Sequence, residues 1–567
     1  MFANQKECSP TDTIQHIRSI LYQHGIVVRE KEWFENGEKL FSVILQIEGT
    51  FRNTNGKGVS VAFALASAYG ELMERLQNLR FLPKEDFSLL PDKRVVRLGS
   101  IIKNKNLVCR GDLKSSFSAY LVQEYNVPVE CVPLYHYNSR TLVDLPRFVV
   151  DRYSSSNGMC AGNTAEEALV QGISECFERH VIQKIFFEDR LNFPIVPISK
   201  IKNLPSYPLL QEVEKTGYRV VVRDCSCSGK FPVVGCFFIN EELSQYAFHI
   251  GASPVFDTAL QRCITEIFQG CRGWSSKGSP LGIIKRHMFS ERESIDDYSE
   301  TARIVNLEKQ RTKSQGMFLS HIMHGYGKDC IDKIFVKKVK SNKELLRHLL
   351  RSAIDNKLDL FVRDVSYLGF PAFRVYIPGL EPKSPKDIEQ RLFMITLPKL
   401  IERIDRLNKR ELEKLMSNII SIALPRFPLL SSVGQKKGIL LCLISLCIRL
   451  KRYDLVSRYG MEYKDLIAEF ADDEKIRYIR CFIMIAKLKH NGLNFKEILE
   501  SLRSLYGGNL VREISHTMTQ QERGIAKKNI ILSEAVEGEN IYKQLREVSR
   551  KMIETKIDQA KLDGVFY

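Results

Sequence analysis

The chain has 567 residues, 44% apolar and 27% charged, a balance that excludes a broadly disordered or fibrous protein and suits roughly two to four globular domains. Its 14 cysteines are too few for a disulfide scaffold, and the polar start MFANQKECSP lacks an export signal, so a reducing cytoplasm is expected. Lys+Arg 84 against Asp+Glu 67 leaves a net charge of +17, but the surplus is spread along the chain, which argues against a sequence-specific nucleic-acid reader.

In chain order, Thr11 to Thr13 open a helix that carries Ile14, Ile17, Ile20 and Leu21 at helical spacing and stops at Gly25. Leu40 to Glu48 is β-like. Thr54 to Gly58 reads as a turn, and a small-residue helix follows from Val61 to Arg80. Helices at Ala165–Phe187 and Ala259–Cys271 then alternate with β-rich runs at Arg219–Arg223, Phe231–Ile239, Leu358–Val365 and Phe373–Ile377, an α/β or α+β pattern. Pro378 to Pro385 breaks structure, and a domain boundary is expected near 383. Beyond it β signals nearly vanish. Helical runs at 388–407, 410–423, 436–450 and 463–470 predict an all-α second domain of tetratricopeptide-like helix hairpins, although no 34-residue consensus stands out. The run Gly438 to Ile448 is too short to span a bilayer, so no membrane partner is expected.

The chemical signal lies on two helices. At about 100° per residue, Ser67, Glu71 and Glu74 share one narrow face, with Leu65, Tyr69, Leu72 and Leu76 opposite. On the second helix Glu167, Gln171, Glu175 and Glu178 form a similar ladder, backed by Leu169 and Ile173. Both end in Glu-x-x-Glu-Arg. One such stripe is ordinarily a solvated face with helix ion pairs. Two copies, each led by a Gly-rich or Ser/Asn-rich segment (Asn55–Gly58 and Ser154–Thr164), point elsewhere. Stacked carboxylates hold hard cations such as Mg²⁺, and free backbone N–H groups at a helix entry attract phosphate. A nucleotide–metal site follows. No Gly-x-x-x-x-Gly-Lys-Ser/Thr motif is present, so its frame is not a P-loop.

These segments, Ser67–Arg75 and Ser156–Arg179, together with Ala259–Gly270 and the Lys6/Thr13 pair, closely resemble the YcaO family over roughly residues 1–382. The long helical tail is similar to that of its stand-alone bacterial branch. The resemblance implies an α+β domain that uses ATP and Mg²⁺. It assigns nucleotide contacts to Lys6, Thr13, Ser67, Asn163, Glu167, Arg179 and Arg262, and Mg²⁺ ligation to Glu71, Glu74, Glu175 and Glu178. Family members activate a backbone amide with ATP and make azolines, thioamides or amidines. Azoline-forming members end in Pro-x-Pro-x-Pro, whereas this chain ends Leu562-Asp-Gly-Val-Phe-Tyr567, which points to the non-azoline branch. Position 13 is Thr where the stand-alone relative has Ser, a change that keeps the hydroxyl.

The resemblance implies an accessory role in β-methylthiolation of an aspartate in the twelfth small-subunit ribosomal protein, with a radical methylthiotransferase as partner and a homodimer as the assembly. The alternatives are an amide-activating enzyme acting on a ribosomally made peptide, and a non-enzymatic scaffold. Three other features read as structural. Cys225-Ser-Cys227 lacks a second ligand pair, Cys160 fills a loop, and Cys442 and Cys447 sit in an apolar helix. His321 and His324 read as surface histidines.

Overall fold

The structure is a computed structural model. It describes residues 6–35, 38–48, 50, 52–81, 94–97, 128–150, 156–187, 193–215, 217–240, 245–267, 269, 327–336, 341–380, 407–420, 433–468, 471, 473–523, 555 and 557–566. His321, His324 and the expected boundary near 383 lie outside these residues.

Helix α1 (Pro10–Gln23) starts where Ser9 Oγ accepts from Asp12 N at 3.1 Å and ends before Gly25, whose φ is +67°. It buries Ile14, Ile17, Ile20 and Leu21, the expected stripe. Strands β1 (Val28–Glu35), β2 (Phe41–Ile47) and β3 (Asn53–Gly58) form an antiparallel sheet in that order. Helix α2 (Val61–Gln77) packs on it and buries Ala68, Tyr69, Leu72 and Leu76. Here the sequence reading needs correction. Thr54–Gly58 is not a turn but most of β3, paired with β2 from Gln46↔Asn53 to Phe41↔Gly58. Its glycines serve close packing rather than chain reversal.

A six-stranded antiparallel sheet forms the centre. It holds β4 (Arg94–Arg97), β5 (Pro128–His136), β6 (Thr141–Pro146), β7 (Met159–Ala161), β11 (Phe361–Asp364) and β12 (Ala372–Tyr376). The order is β4-β5-β11-β12-β7, with β6 also on β5, so β7 is an edge among the described residues. Helix α3 (Ala165–Phe187) packs on β12 and β7 through Leu169, Ile173 and Phe177, sharing a core with Phe373 and Val375. Helix α2 approaches the same two strands with Leu72 and Tyr69, whose core takes in Ala372 and Tyr376. The alternation Ala372/Phe373/Val375/Tyr376 between two cores follows from the two-residue period of a strand. Helices α2 and α3 therefore flank β7 from opposite faces.

A third sheet, β10-β9-β8, is built from β8 (Arg219–Asp224), β9 (Val233–Asn240) and β10 (Gln245–Ala252). Helices α4 (Tyr207–Glu214), α5 (Phe256–Ile267) and α6 (Asn342–Asp355) contribute to the core around it. The described later chain is helical: α7 (Lys409–Asn418), α8 (Val433–Arg449), α9 (Tyr453–Ile467), α10 (Asp473–His490), α11 (Phe495–Tyr506) and α12 (Gly508–Glu522), while the expected run at 388–407 lies outside the described residues except for Leu407. Neighbouring helices pack pairwise, and α12 returns to touch α8. Cys442 and Cys447 are buried in α8, with burial pushing both thiols up to about 12.

A short segment near the end of the chain returns to the central sheet. Gln559 accepts from Asp364 N at 2.7 Å and donates to Asp364 O at 2.8 Å, while Tyr135 donates its hydroxyl to Asp563 at 2.6 Å. Phe566 stacks on Tyr135 and meets Tyr137 edge-on. Because Phe566 is almost fully buried, Phe566→Ala is expected to cost about 3 kcal/mol of unfolding free energy, measured by urea denaturation. No helix among the described residues is long and apolar enough to cross a membrane.

Candidate nucleotide and metal site

Three strand–turn–helix units build the site: β3 into α2, β7 into α3, and β10 into α5. Each turn carries a hydroxyl that accepts from a backbone N–H at the helix start. Ser60 accepts from Phe63 N at 3.3 Å, Thr164 from Glu167 N at 3.2 Å, and Ser253 from Val255 N at 3.2 Å. In each unit a glycine lets strand and helix touch; a Cβ on Gly162 would lie 2.8 Å from Ala168 N. A Cβ on Gly56 would lie 2.0 Å from Ala64 O, and one on Gly251 2.3 Å from Ala259 O. The helices are thus held hard against their strands, and their polar faces are presented together.

The first unit gives Glu71 and Glu74. Glu71 accepts from Asn55 N at 3.2 Å and from Arg75 at 3.0 Å, and Glu74 lies 3.5 Å from the same guanidinium. Ser67 stands exposed one turn earlier on this face. The second unit gives Glu175, 3.3 Å from Arg179, and Glu178, which accepts from Ala252 N of the third unit at 3.2 Å. The third unit gives Arg262, which donates to Gln171 Oε1 at 2.7 Å. At the start of α3, Lys6 pairs with the buried Glu167 at 2.9 Å, Glu7 N donates to Glu167 at 3.3 Å, and Thr13 donates to Asn163 at 3.1 Å. Asn163 in turn donates to Glu167 at 3.3 Å. Residues distant in sequence, including both carboxylate ladders, thus belong to one neighbourhood.

The electrostatics tie the ladders together. Burial pushes the Glu74 carboxyl well above its usual range; Arg75 opposes this, while the Glu175 and Glu71 carboxylates add to it. Glu74 therefore feels Glu175 across the gap between α2 and α3. Among the described residues, no three His, Cys, Asp or Glu side chains converge as a metal shell would require. Glu71 pairs with Arg75, Glu175 with Arg179, and Glu178 accepts from the Ala252 backbone N–H.

The residues fit an anionic nucleotide and a hard dication in two respects. The donors are all carboxylate oxygens, the set Mg²⁺ prefers. Several buried polar atoms around them lack a partner among the described residues: Asn55 Oδ1, Arg179 Nε, and Nε and Nη1 of Arg374. Each such orphan costs about 1–3 kcal/mol, and a ligand that supplies partners recovers that cost.

Sequence reasoning missed two members of this neighbourhood. Lys57 ion-pairs with Glu266 and donates to Gln269 at 3.2 Å. Burial and the nearby Arg262 lower its pKa to about 7, against the pull of Glu178 and Glu71. Misreading β3 as a turn hid it. Arg374, buried on β12, lies within electrostatic reach of Glu74. A charge inside the apolar run Phe373–Ile377 was the available signal. Cys160, fully buried, donates to Phe373 O at 3.6 Å and its thiol is pushed well up by burial, in keeping with a packing role. Cys225 is likewise buried with its thiol pushed well up.

The Glu167 network makes a pH prediction. Burial would raise this carboxyl, but the Lys6 charge and the hydrogen bonds from Lys6, Glu7 N and Asn163 outweigh it and hold it below the usual 4.5. The folded state then binds this proton less tightly than the unfolded chain. Glu167 stabilises the fold above the unfolded value, and the contribution is lost as pH falls through the lowered one. Glu167→Gln should lower the melting temperature at about pH 7 and lower it less below about pH 4, read by thermal melts.

Carboxylate ladders from two helices, joined by basic residues on a third and entered from Gly-tight strands, make a candidate nucleotide–metal site outside the P-loop class. A family profile described as YcaO cyclodehydratase, ATP- and Mg²⁺-binding, matches residues 55–381, so the chain belongs to the YcaO family. ATP and Mg²⁺ are the cofactors of this domain. The chain is 27% identical over 412 residues to the ribosomal protein S12 methylthiotransferase accessory factor YcaO of Escherichia coli, covering 68% of this chain and 67% of that protein. It is 27% identical over 409 residues to an uncharacterised protein of Haemophilus influenzae, covering 67% and 66%. The match thus spans about two thirds of the length of these relatives. The solved structure of YcaO from Methanopyrus kandleri bound with AMPPCP and Mg²⁺ is similar at a TM-score of 0.44 and 20% identity, covering 67% of this chain and 96% of that one.

Proposed function

We propose that this protein is an ATP- and Mg²⁺-dependent accessory factor in β-methylthiolation of the twelfth small-subunit ribosomal protein, acting in the cytoplasm beside a radical methylthiotransferase. The observation that carries the ATP–Mg²⁺ part is the neighbourhood of Glu71, Glu74, Glu175 and Glu178 with Arg179, Arg262 and Lys57. In this reading the four carboxylates hold Mg²⁺, which would neutralise charge on the phosphates. Lys6, Thr13, Ser67, Asn163, Glu167, Arg179 and Arg262 bind and orient the nucleotide. The guanidinium groups stabilise charge that builds on a transferring phosphoryl group. The accessory role is supported by similarity to the Escherichia coli accessory factor. Residues 1–382 form the ATP domain and 383–567 the helical domain, which offers surfaces for the ribosomal partner or for a second copy in a homodimer.

The family description favours a second reading, in which the chain itself activates a backbone amide of a ribosomally made peptide. Mass spectrometry of the ribosomal protein from a deletion strain decides the first. Loss of the methylthio group, restored by the wild-type gene, is expected; a fully modified protein in the deletion strain removes the accessory role.

A further inference from the structure

We propose that Lys57, which pairs with Glu266, is a phosphate-binding residue that makes the site prefer a nucleoside triphosphate to a diphosphate; this rests on the ATP–Mg²⁺ reading above.

Strand alternation sets the geometry. Gly56 and Gly58 face α2, so Asn55 and Lys57 lie on the other face of β3, toward α5. There the Lys57 ammonium meets the Glu266 carboxylate and accepts company from Gln269, to whose Oε1 it donates at 3.2 Å. Gln269 closes the loop by donating to Asn55 O at 2.8 Å. The pair is lopsided: the Lys57 side chain is 22% exposed and that of Glu266 43%. A half-exposed carboxylate is a weak counter-ion, whereas an ammonium withdrawn from water gains most from a fully charged anion.

The surroundings indicate which anion. Arg262 and Arg179 sit within electrostatic reach of Lys57, as do Glu178 and Glu71. The one hydrogen bond described for the Arg262 guanidinium is to a neutral amide, Gln171. Beside Lys57, the buried Asn55 Oδ1 has no partner among the described residues. Three cations thus gather where the two ladders meet. Glu167 and Glu178, eleven residues apart on α3, are separated by about 16 Å along the axis, comparable to an extended nucleotide. The Asn163–Glu167 end offers acceptors suited to ribose hydroxyls. The Glu178 end offers carboxylates for a metal and cations for phosphate. Lys57 belongs to the second end, next to the terminal phosphate.

The experiment is isothermal titration of the full chain with Mg²⁺ and either AMPPNP or ADP. Lys57→Met is expected to weaken AMPPNP about 10–100-fold and change ADP less than about twofold. Glu266→Gln, which frees Lys57, is expected to tighten AMPPNP several-fold, and the double variant should match Lys57→Met. Lys57→Arg, which keeps the charge, should retain most of the preference and serves if Lys57→Met folds poorly. Equal weakening of both nucleotides by Lys57→Met, or weakening of AMPPNP by Glu266→Gln, makes the pair a structural cross-link and overturns the proposal. Unchanged AMPPNP binding in Lys57→Met overturns it as well, with the ATP reading intact. Wild-type protein that binds neither nucleotide overturns the ATP reading itself, and the proposal falls with it.

Discussion

Exchanging Glu175 and Glu178 together for Gln is expected to weaken Mg²⁺–nucleotide binding on the order of 100-fold or more while leaving the ligand-free protein folded. The isosteric amide keeps an oxygen for the Ala252 N–H that Glu178 now satisfies and a partner for Arg179 beside Glu175. Packing is therefore retained and only charge is removed. Glu175 also helps to push the Glu74 carboxyl up, so losing it relieves a like-charge contact between α2 and α3. The ligand-free variant should melt at or above the wild-type temperature, yet gain no stability from Mg²⁺ and nucleotide, whereas the wild type gains several degrees. Chelating Mg²⁺ with EDTA should bring wild-type binding down to the level of the variant. Titration calorimetry and thermal melts read both effects. A double variant that binds as tightly as wild type would show that these carboxylates are a solvated stripe after all.

Gly56→Ala should have the largest effect on stability of any single methyl group added in this region. The new Cβ would lie 2.0 Å from Ala64 O and 2.4 Å from Ala68 N, both backbone atoms that no side-chain rotation can move. Helix α2 would have to lift away from β3, for a cost of about 3 kcal/mol or more. The same shift would separate Asn55 N from Glu71 Oε2, now 3.2 Å apart, so nucleotide binding should fall with stability. Gly70 provides the control. It sits mid-helix on α2 with nothing within 4 Å of a built Cβ, and Gly70→Ala should stabilise the protein by about 0.5–1 kcal/mol. Chemical denaturation of the two variants measures both; equal effects would mean that the β3–α2 contact is loose.

The contrast between these two glycines marks what was legible in the sequence. Periodicity placed α1, α2, α3 and α5 to within a few residues, because each buries one regular apolar stripe. It also put Glu71 with Glu74, and Glu175 with Glu178, since residues three apart on a helix share a face. It could not say that the two stripes meet, because that depends on α2 and α3 flanking one short edge strand, β7, three residues long. It misread Asn55-Gly-Lys-Gly58, where glycines that serve close packing look like glycines that serve a turn. That single error hid Lys57. Strands β5 and β6 escaped too: β5 contains two prolines, Pro128 and Pro133, and β6 closes with Pro146, which blurs their alternation.

The segment around Gln559 to Phe566 bears on how the chain is made. Tyr135 and Asp563, joined by a hydrogen bond, are separated by 428 residues. At typical synthesis rates of about 5–20 residues per second, something like 20–90 s pass between the emergence of one partner and of the other. Throughout that time the face of Tyr135 and Tyr137 waits uncovered on the nascent protein, joined by Asp364 for the last 195 or so residues of synthesis. A chaperone has that interval in which to bind it, and a ribosome stalled within the helical region would leave it bare for longer.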